Sequence, residues 1–261
     1  MSEEEVIGAE APFKGKMFLY EKPELLTKEE HGGLGLSSVD RTYDFVKSIR
    51  AVPIVTAEVA TAQKHFPIVF AGFENPTLLA VVGAFEDRNL FVNEDGTWDQ
   101  NSYIPTYLRC YPFAFATRSD DQFAVVIDRS AASISDTPEQ PFFDGEGLSD
   151  AIQARIDLCG RFDAERRRTV QFCERVNELG LLSGQRAAHR PDPGGEEQLI
   201  ANYVAIDVRK LNDVDKDTLQ ELHQDGSLSA IFGLVFSLEN WGRLVGRHTL
   251  MQKAGNGGNQ A

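Results

Sequence analysis

The sequence predicts an α+β protein, with a mixed or mainly antiparallel sheet in the first half, helices packed on one face and a helical hairpin at the C-terminus. Two observations predict this class. Short apolar runs divided by proline and asparagine dominate the first half, whereas apolar residues recur at helical spacing from residue 148 onwards. Strands that come early and helices that come late are typical of α+β folds.

The strands of the first half are predicted from five apolar runs. Turn-forming residues separate them, among them Asn75-Pro76 between two strands and Glu94, Asp95 and Gly96 after another. A further turn is predicted at 118–123. The five runs are AVPIV at 51–55, FPIVF at 66–70, TLLAVVG at 77–83, NLFVN at 89–93 and FAVVID at 123–128.

Two helical patterns follow in the second half. Leu148, Ile152 and Ile156 repeat every four residues, which places them on one face of a helix. A second amphipathic pattern begins after Gly160. Asp163 is its predicted N-cap, and Gly180 is its predicted end.

The last quarter of the chain predicts a returning strand and a helical hairpin. The polar stretch 183–198, rich in proline and glycine, predicts a loop, and alternating apolar residues predict a strand at 203–208. Asp215 is the expected cap of a short helix that Gly226 ends. Ser227 is then expected to cap one longer helix, whose apolar stripe includes Leu228, Ile231, Phe232, Val235, Leu238, Trp241 and Val245.

Composition divides the chain into one domain and two tails. Residues 1–15 are acidic and residues 254–261 are rich in glycine and asparagine, so we expect both segments to be disordered. Residues 16–253 are expected to form a single domain, with 183–198 as an internal polar loop. No secretory signal pattern and no run of about 18 apolar residues is present, which favours a cytoplasmic protein without direct membrane insertion.

Charge and cysteine usage exclude two classes of function. Acidic residues outnumber basic ones by 40 to 26, and the resulting net charge of −14 disfavours nucleic acid as a partner. Cys110, Cys159 and Cys173 are odd in number and widely spaced, which fits neither a disulfide framework nor a zinc knuckle. We expect reduced, mostly buried thiols.

No motif supports catalysis or metal binding. His223 and Asp225 have the H-x-D spacing of non-haem iron ligands, with His248 as a third candidate, but the pair falls at a predicted helix end. Asn93, Asp95 and Asp99 around Gly96 lack the register of a calcium loop. The glycines of 32–35 lack the lysine of a phosphate loop, and no G-x-S-x-G elbow occurs. The sequence therefore favours binding over catalysis and implies no catalytic residue, metal or cofactor.

The segment 91–115 is the candidate binding site, because seven of its 25 residues are aromatic. Stacking and hydroxyl hydrogen bonds from such residues suit a peptide or a glycan, although aromatic residues at helical spacing are also typical of a core. A helix opened near Pro105 and stopped by Pro112 would place the phenols of Tyr103 and Tyr107 on one side. Trp98 and Tyr103 flank a polar stretch and are the expected exposed members. The predicted binding residues are Trp98, Asp99, Tyr103, Tyr107, Arg109 and Tyr111.

The chain also resembles a known family. The order of FPIVF, then NLFVNEDGTWDQNSYIPTYLRCYPFAFA, then DTLQELHQDGSLSAIFGLVFSLENWGRL is similar to the SapC family of bacterial proteins, over about 43–244. The resemblance implies an accessory role in surface-protein secretion or outer-membrane uptake, since the family is linked to surface-layer secretion and its genes lie near those of outer-membrane receptors and halogenases. It implies no reaction and no catalytic residues.

Three functions follow from these observations. The first is a non-enzymatic accessory protein that engages a protein or peptide client through the aromatic segment, with Trp98 or Tyr103 in an exposed apolar patch. The second is a small-molecule-binding protein or tailoring enzyme with a pocket between sheet and helices, its polar groups drawn from Asp99, Tyr107, Arg109 and His65. The third is a homodimer formed through the helix at 232–241.

Overall fold

The computed structural model describes residues 17–117, 123–191 and 195–257, and within them it has thirteen strands and seven α-helices. The strands are β1 (Pro23–Leu25), β2 (Gly35–Leu36), β3 (Ala51–Pro53), β4 (Ile68–Phe70), β5 (Leu78–Val81), β6 (Phe113–Thr117), β7 (Phe123–Asp128), β8 (Ile134–Ser135), β9 (Gln140–Pro141), β10 (Phe143–Asp144), β11 (Gly147–Leu148), β12 (Leu182–His189) and β13 (Gln198–Ile206). The helices are α1 (Lys28–His31), α2 (Val59–Ala62), α3 (Thr106–Cys110), α4 (Asp150–Glu178), α5 (Lys216–Gln224), α6 (Ser227–Ser237) and α7 (Asn240–Gly257).

A five-stranded antiparallel sheet forms the larger half of the fold, in the order β12-β13-β4-β5-β3. The predicted α+β class is therefore confirmed. Its central strands read as continuous apolar runs because β4 and β5 are buried at every position. The predicted strand at 89–93 is wrong, since only Val92 makes a single bridge, to Trp98, although Leu90, Phe91 and Val92 are all buried.

Two three-stranded antiparallel sheets, β1-β7-β6 and β8-β2-β9, form the smaller half. Strand β2 lies in the middle of its sheet and contains Gly35. A Cβ atom on Gly35 would lie 2.2 Å from the carbonyl oxygen of Gln140, so only glycine fits between the neighbouring strands. The predicted turn at 118–123 lies almost entirely outside the described residues.

The polar stretch 183–198 is only in part the predicted loop, since the described residues 190–191 and 195–197 lie outside any strand. Residues 183–189 belong to β12, which pairs with β13 at the edge of the main sheet. An edge strand needs few apolar residues, and here only Leu182 and Ala187 are buried apolar positions. The polar composition therefore hid the strand.

A single helix replaces the two predicted at 148–180. Helix α4 has 29 residues and runs through Gly160, so Asp163 is an internal residue rather than an N-cap. Asp163 pairs there with Arg166 and Arg167 along the helix surface. The end was predicted correctly, since Gly180 follows the helix with a φ of 68°.

The C-terminal helices follow the predicted pattern with one difference. Asp215 caps α5 by accepting from the amides of Asp217 and Thr218, and α5 packs on α6 as the expected hairpin. The predicted longer helix is two helices, because the chain bends between α6 and α7. At the bend the Asn240 amide donates to the carbonyl oxygens of Ser237, Gln63 and Phe66.

Two hydrophobic clusters meet at α3. The larger one surrounds the main sheet and includes Leu108, whereas the smaller one includes Cys110 and packs under the first turns of α4. All three cysteines are buried free thiols, as predicted. No helix among the described residues combines the length and apolar composition needed to cross a membrane.

Candidate ligand-binding cavity

The position of α3 depends on Glu58, a residue that the sequence did not single out. Its carboxylate is buried and accepts three hydrogen bonds: from the Tyr103 hydroxyl at 2.8 Å, the Thr106 amide at 2.7 Å and the Val55 amide at 3.1 Å. The negative charge therefore satisfies the first amide of α3 and ties the segment before it to the 3-10 helix Thr56–Glu58.

Helix α3 is wedged between α4 and residues that follow β2. Tyr111 follows the C-terminal end of α3. Its ring stacks on the Phe45 ring, with the two centroids 4.0 Å apart and an angle of 12° between the ring planes. The Tyr111 hydroxyl donates to Asp128 over 3.1 Å. Burial and the Asp128 carboxylate raise the pKa of Tyr111, so this phenol stays neutral.

Asp128 anchors this corner of the protein. Its buried carboxylate also accepts from the amides of Glu21, Lys22 and Ser130 and from the Ser130 hydroxyl. Burial acts to raise the pKa of Asp128, but these hydrogen bonds outweigh burial and lower it. Tyr111 is therefore held in place by a carboxylate whose pKa is lowered.

A cavity of 320 Å³ opens beside α3, at the junction of the two hydrophobic clusters. Its lining combines aromatic rings, three arginines, two carboxylates and several hydroxyl groups, which is the mixture found in binding sites. The residues are Leu36, Ser37, Ser38, Val39, Arg41, Thr42, Tyr43, Asp44, Phe45, Leu108, Arg109, Tyr111, Pro112, Ala132, Ser133, Glu139, Gln140 and Arg155.

Charge is unevenly balanced in this cavity. Arg41 forms an ion pair with Asp44, and Glu139 accepts from the amide and the hydroxyl of Ser38. Arg109 and Arg155 are exposed, and no hydrogen-bond or ion-pair partner for either is found among residues 17–117, 123–191 and 195–257. Two cationic groups therefore line the cavity without a counter-ion from the part of the chain that the structure describes.

Both of these arginines affect the pKa of the Tyr43 phenol. Burial raises its pKa, and the guanidinium groups of Arg109 and Arg155 partly offset that rise. Tyr43 is half-buried and its ring lies 5.6 Å from that of Trp98. Arg155 comes from α4, some 46 residues after Arg109, so no local motif could have revealed that the two share a cavity.

The predicted binding residues separate into two groups. Arg109 and Tyr111 line the cavity, whereas the other four do not. Trp98, expected at the surface, is only 4% exposed because Phe66, Phe91 and Tyr43 surround its ring. Its indole nitrogen donates to the Tyr103 carbonyl over 3.1 Å. Trp98 is thus a core residue.

Asp99 and the remaining tyrosines have structural partners. Asp99 pairs with Arg247 and accepts from Ser102 at 2.7 Å, while Arg247 also covers the Phe91 ring at 4.3 Å. Tyr103 precedes α3 and donates to Glu58, whereas the Tyr107 hydroxyl donates to the Phe18 carbonyl. Tyr103 and Tyr107 therefore do not share the predicted helix face.

One of the four polar groups expected in a pocket between sheet and helices lines the cavity beside α3. Of Asp99, Tyr107, Arg109 and His65, only Arg109 lines the cavity beside α3. A second cavity, of 290 Å³, does lie between α4 and the main sheet. Its walls are mostly apolar, with polar groups at some positions, and they comprise Pro53, Ile54, Glu74, Asn75, Pro76, Thr77, Phe162, Arg166, Thr169, Val170, Cys173 and Glu174.

The residues whose spacing is similar to that of iron or calcium ligands have structural roles. Asp225 accepts from the Ser227 amide at the start of α6, while His248 lies against Phe85, with ring centroids 5.0 Å apart. Asp95 accepts from the amide and hydroxyl of Thr97 and so closes the turn at Gly96. Asp225 and Asp95 therefore act as cap and turn residues, and His248 packs against an aromatic ring.

One cluster of the described residues has the composition of a metal site. Glu24, Glu30 and His31 place one ligand atom each within 4.8 Å of one another. His31 is buried, and both of its nitrogens have protein partners, Thr27 for Nδ1 and Glu24 for Nε2 at 3.2 Å. These contacts explain the position of the ring as a support for α1.

Comparison with known proteins supplies one match. A family model described as SapC matches residues 26–244. No curated protein matches the chain, and no solved structure matches it. The matched residues include α3, the whole lining of the cavity beside it and both unpaired arginines.

Proposed function

We propose that this chain, which belongs to the SapC family, is a non-enzymatic accessory protein that binds a protein or peptide client in a bacterial surface-protein or outer-membrane uptake system. It works in the cytoplasm, and its partner is a polypeptide rather than nucleic acid. The client binds in the cavity beside α3.

One observation carries this proposal: Arg109 and Arg155 line the cavity with no ion-pair partner among the described residues, beside the Tyr43, Phe45 and Tyr111 rings. Arginine and tyrosine are the residue types that contribute most to protein interfaces, because they combine apolar contact with directed hydrogen bonds. Within a chain of net charge −14, two arginines that line the same cavity attract an acidic partner to it.

The size of the cavity supports a short segment as the bound part of the client. Ligand pockets span about 300–1,000 Å³, and this cavity of 320 Å³ lies at the lower end of that range. It can take a side chain or a chain end, whereas the rest of a polypeptide client would stay outside.

Site-specific photo-crosslinking in the native host tests the proposal. A photoreactive amino acid replaces Thr42 on the cavity lining or Thr249 on α7; both are exposed, and each hydroxyl donates to a nearby carbonyl over 3.0 Å. We expect one polypeptide to be crosslinked from position 42 and not from 249.

The arginines provide the specificity control for this experiment. Replacing Arg109 and Arg155 by glutamate should abolish the crosslink from position 42, because it reverses the charge that attracts the client. The same replacement at Arg161, an exposed residue of α4 outside the cavity, should preserve it. A crosslink that persists in the double variant, or that forms equally from position 249, rules the cavity out as the client site.

A further inference from the structure

We propose that the ligand group bound in this cavity is a single carboxylate, from an acidic side chain or the chain end of the client, held between Arg109 and Arg155 with the Tyr43 hydroxyl as an additional donor. This inference rests on the proposed function, since it names the chemistry by which the cavity recognises its partner.

Ion pairs account for half of the arginines that the structure describes, and Arg109 and Arg155 are the two outside this group that line the cavity beside α3. Eight arginines form ion pairs with carboxylates in the described part of the chain, as expected in a protein with 40 acidic residues. Arg109 and Arg155 have no such partner there. Guanidinium groups recognise carboxylates through two parallel hydrogen bonds, which are shorter and stronger than neutral ones.

The two carboxylates of the cavity lining, Asp44 and Glu139, do not pair with Arg109 or Arg155. Asp44 is engaged by Arg41, and both the amide and the hydroxyl of Ser38 donate to Glu139, the latter over 2.8 Å. Each of these two carboxylates therefore has its own donors. Neither Asp44 nor Glu139 forms an ion pair with Arg109 or Arg155, so these two guanidinium groups have no carboxylate partner among the described residues.

The net charge of the lining selects a monoanion. Its three arginines and two carboxylates leave one uncompensated positive charge. A carboxylate carries one negative charge and neutralises this excess, whereas a doubly charged phosphate group would leave the occupied cavity with a net negative charge. Neutral amide groups leave the two arginines desolvated without compensation, so they bind poorly.

Binding of small peptides to the full chain tests the assignment. The probes are the capped tripeptides acetyl-Ala-Glu-Ala-amide and acetyl-Ala-Gln-Ala-amide, together with inorganic phosphate, and amide NMR shifts report binding. We expect the glutamate peptide to saturate at millimolar concentration, with shifts at Tyr43, Arg109 and Arg155. The glutamine peptide should bind at least about tenfold more weakly, since it lacks the charge-assisted hydrogen bonds.

Variants locate the effect. Replacing Arg109 and Arg155 by glutamine should weaken glutamate-peptide binding by at least about tenfold, while Arg161→Gln leaves it unchanged. Both arginines are exposed, so the variants are expected to fold like the wild type. Equal binding of the two peptides, tighter binding of phosphate, or unchanged binding by the double variant would each overturn the carboxylate assignment.

The two proposals fail in different ways. If the glutamate peptide binds as expected but no polypeptide is crosslinked from position 42 in cells, the carboxylate site stands and the client role falls. If a client is crosslinked from position 42 and the crosslink depends on the two arginines, but neither peptide binds, the client role stands and the carboxylate assignment falls.

Discussion

Glu58 shows how a single buried charge can position a binding element. Its three hydrogen bonds join Val55, Tyr103 and Thr106, and no other carboxylate among the described residues contacts the start of α3. Because Arg109 and Tyr111 lie on and just after this helix, the shape of the cavity depends on Glu58 even though Glu58 does not line it.

Replacing Glu58 by glutamine should therefore lower the free energy of unfolding by about 1–3 kcal/mol, because the new NH₂ group cannot accept one of the three hydrogen bonds. Urea unfolding measures the loss. Glu29→Gln, at an exposed position of α1, is the matched control and should change the free energy by less than about 0.5 kcal/mol. A Glu58→Gln protein as stable as the wild type would show that the bonds contribute little.

Trp98 illustrates what residue types cannot reveal. The polar residues that follow Trp98 favoured an exposed ring. The ring is buried instead, because Phe66, Phe91 and Tyr43 pack around it, and the sequence does not show that these residues come together there. Arg109 and Tyr111 were predicted as binding residues and do line a cavity, while Arg155 was missed because its proximity to Arg109 arises only when α4 packs on α3. Their role in binding stays a prediction.

At the scale of elements, α4 connects the two halves of the fold. Its first turns place Ile152, Ile156 and Cys159 in the smaller cluster, and its last turns place Phe172 and Val176 in the larger one. At about 1.5 Å per residue, 29 residues reach roughly 43 Å, which is long enough to span both. Arg155 therefore enters the cavity from a helix that is anchored on both sides.

Helix α6 presents the clearest unpaired apolar surface of the C-terminal helices. Phe232 and Phe236 are 38% and 61% exposed, and their rings stack with centroids 6.2 Å apart. The homodimer predicted through 232–241 can use these two rings, but not Trp241, which is buried.

We predict that a homodimer formed through α6 is lost when both Phe232 and Phe236 are replaced by serine, because the apolar area that drives association is removed. Light scattering at increasing protein concentration measures the molar mass. Leu250→Ser removes an exposed apolar residue of α7 instead and should leave the mass unchanged. A wild-type protein that is monomeric at every concentration contradicts the prediction.

For the whole molecule, local patterns predicted the class and part of the elements, while long-range packing decided the rest, including the short strands β1, β2 and β8 to β11. The apolar runs of β3, β4 and β5 identify buried strands because every side chain in them contributes to the core. Strand β12 was hidden because an edge strand is mostly polar, and α4 was divided in two because Gly160 reads as a break. Gly160 lies inside the helix and faces the Phe115 ring. A Cβ atom added at Gly160 would lie 3.6 Å from that ring.

The stability of the whole molecule should fall steeply in acid. The pKa values of Asp99 and Asp128 are lowered in the folded state because hydrogen bonds outweigh the effect of burial. Between those lowered values and the ordinary aspartate pKa of about 3.9, the unfolded chain binds more protons than the folded one. The stabilisation is therefore complete above about pH 5 and is lost as the pH falls through the folded pKa values.

Asp128→Asn should weaken this dependence on pH, because the variant removes one group that takes up a proton on unfolding. Urea unfolding at pH 7, 5, 4 and 3 gives the free energy at each pH for the variant and the wild type. Asparagine keeps one acceptor oxygen, so the variant loses stability at pH 7, and the difference from the wild type should shrink towards pH 3, where the aspartate gains a proton. Asp150→Asn, at an exposed position in the first turn of α4, controls for the loss of one charge. A stability difference that stays constant from pH 7 to pH 3 would show that the Asp128 carboxylate does not carry the linkage.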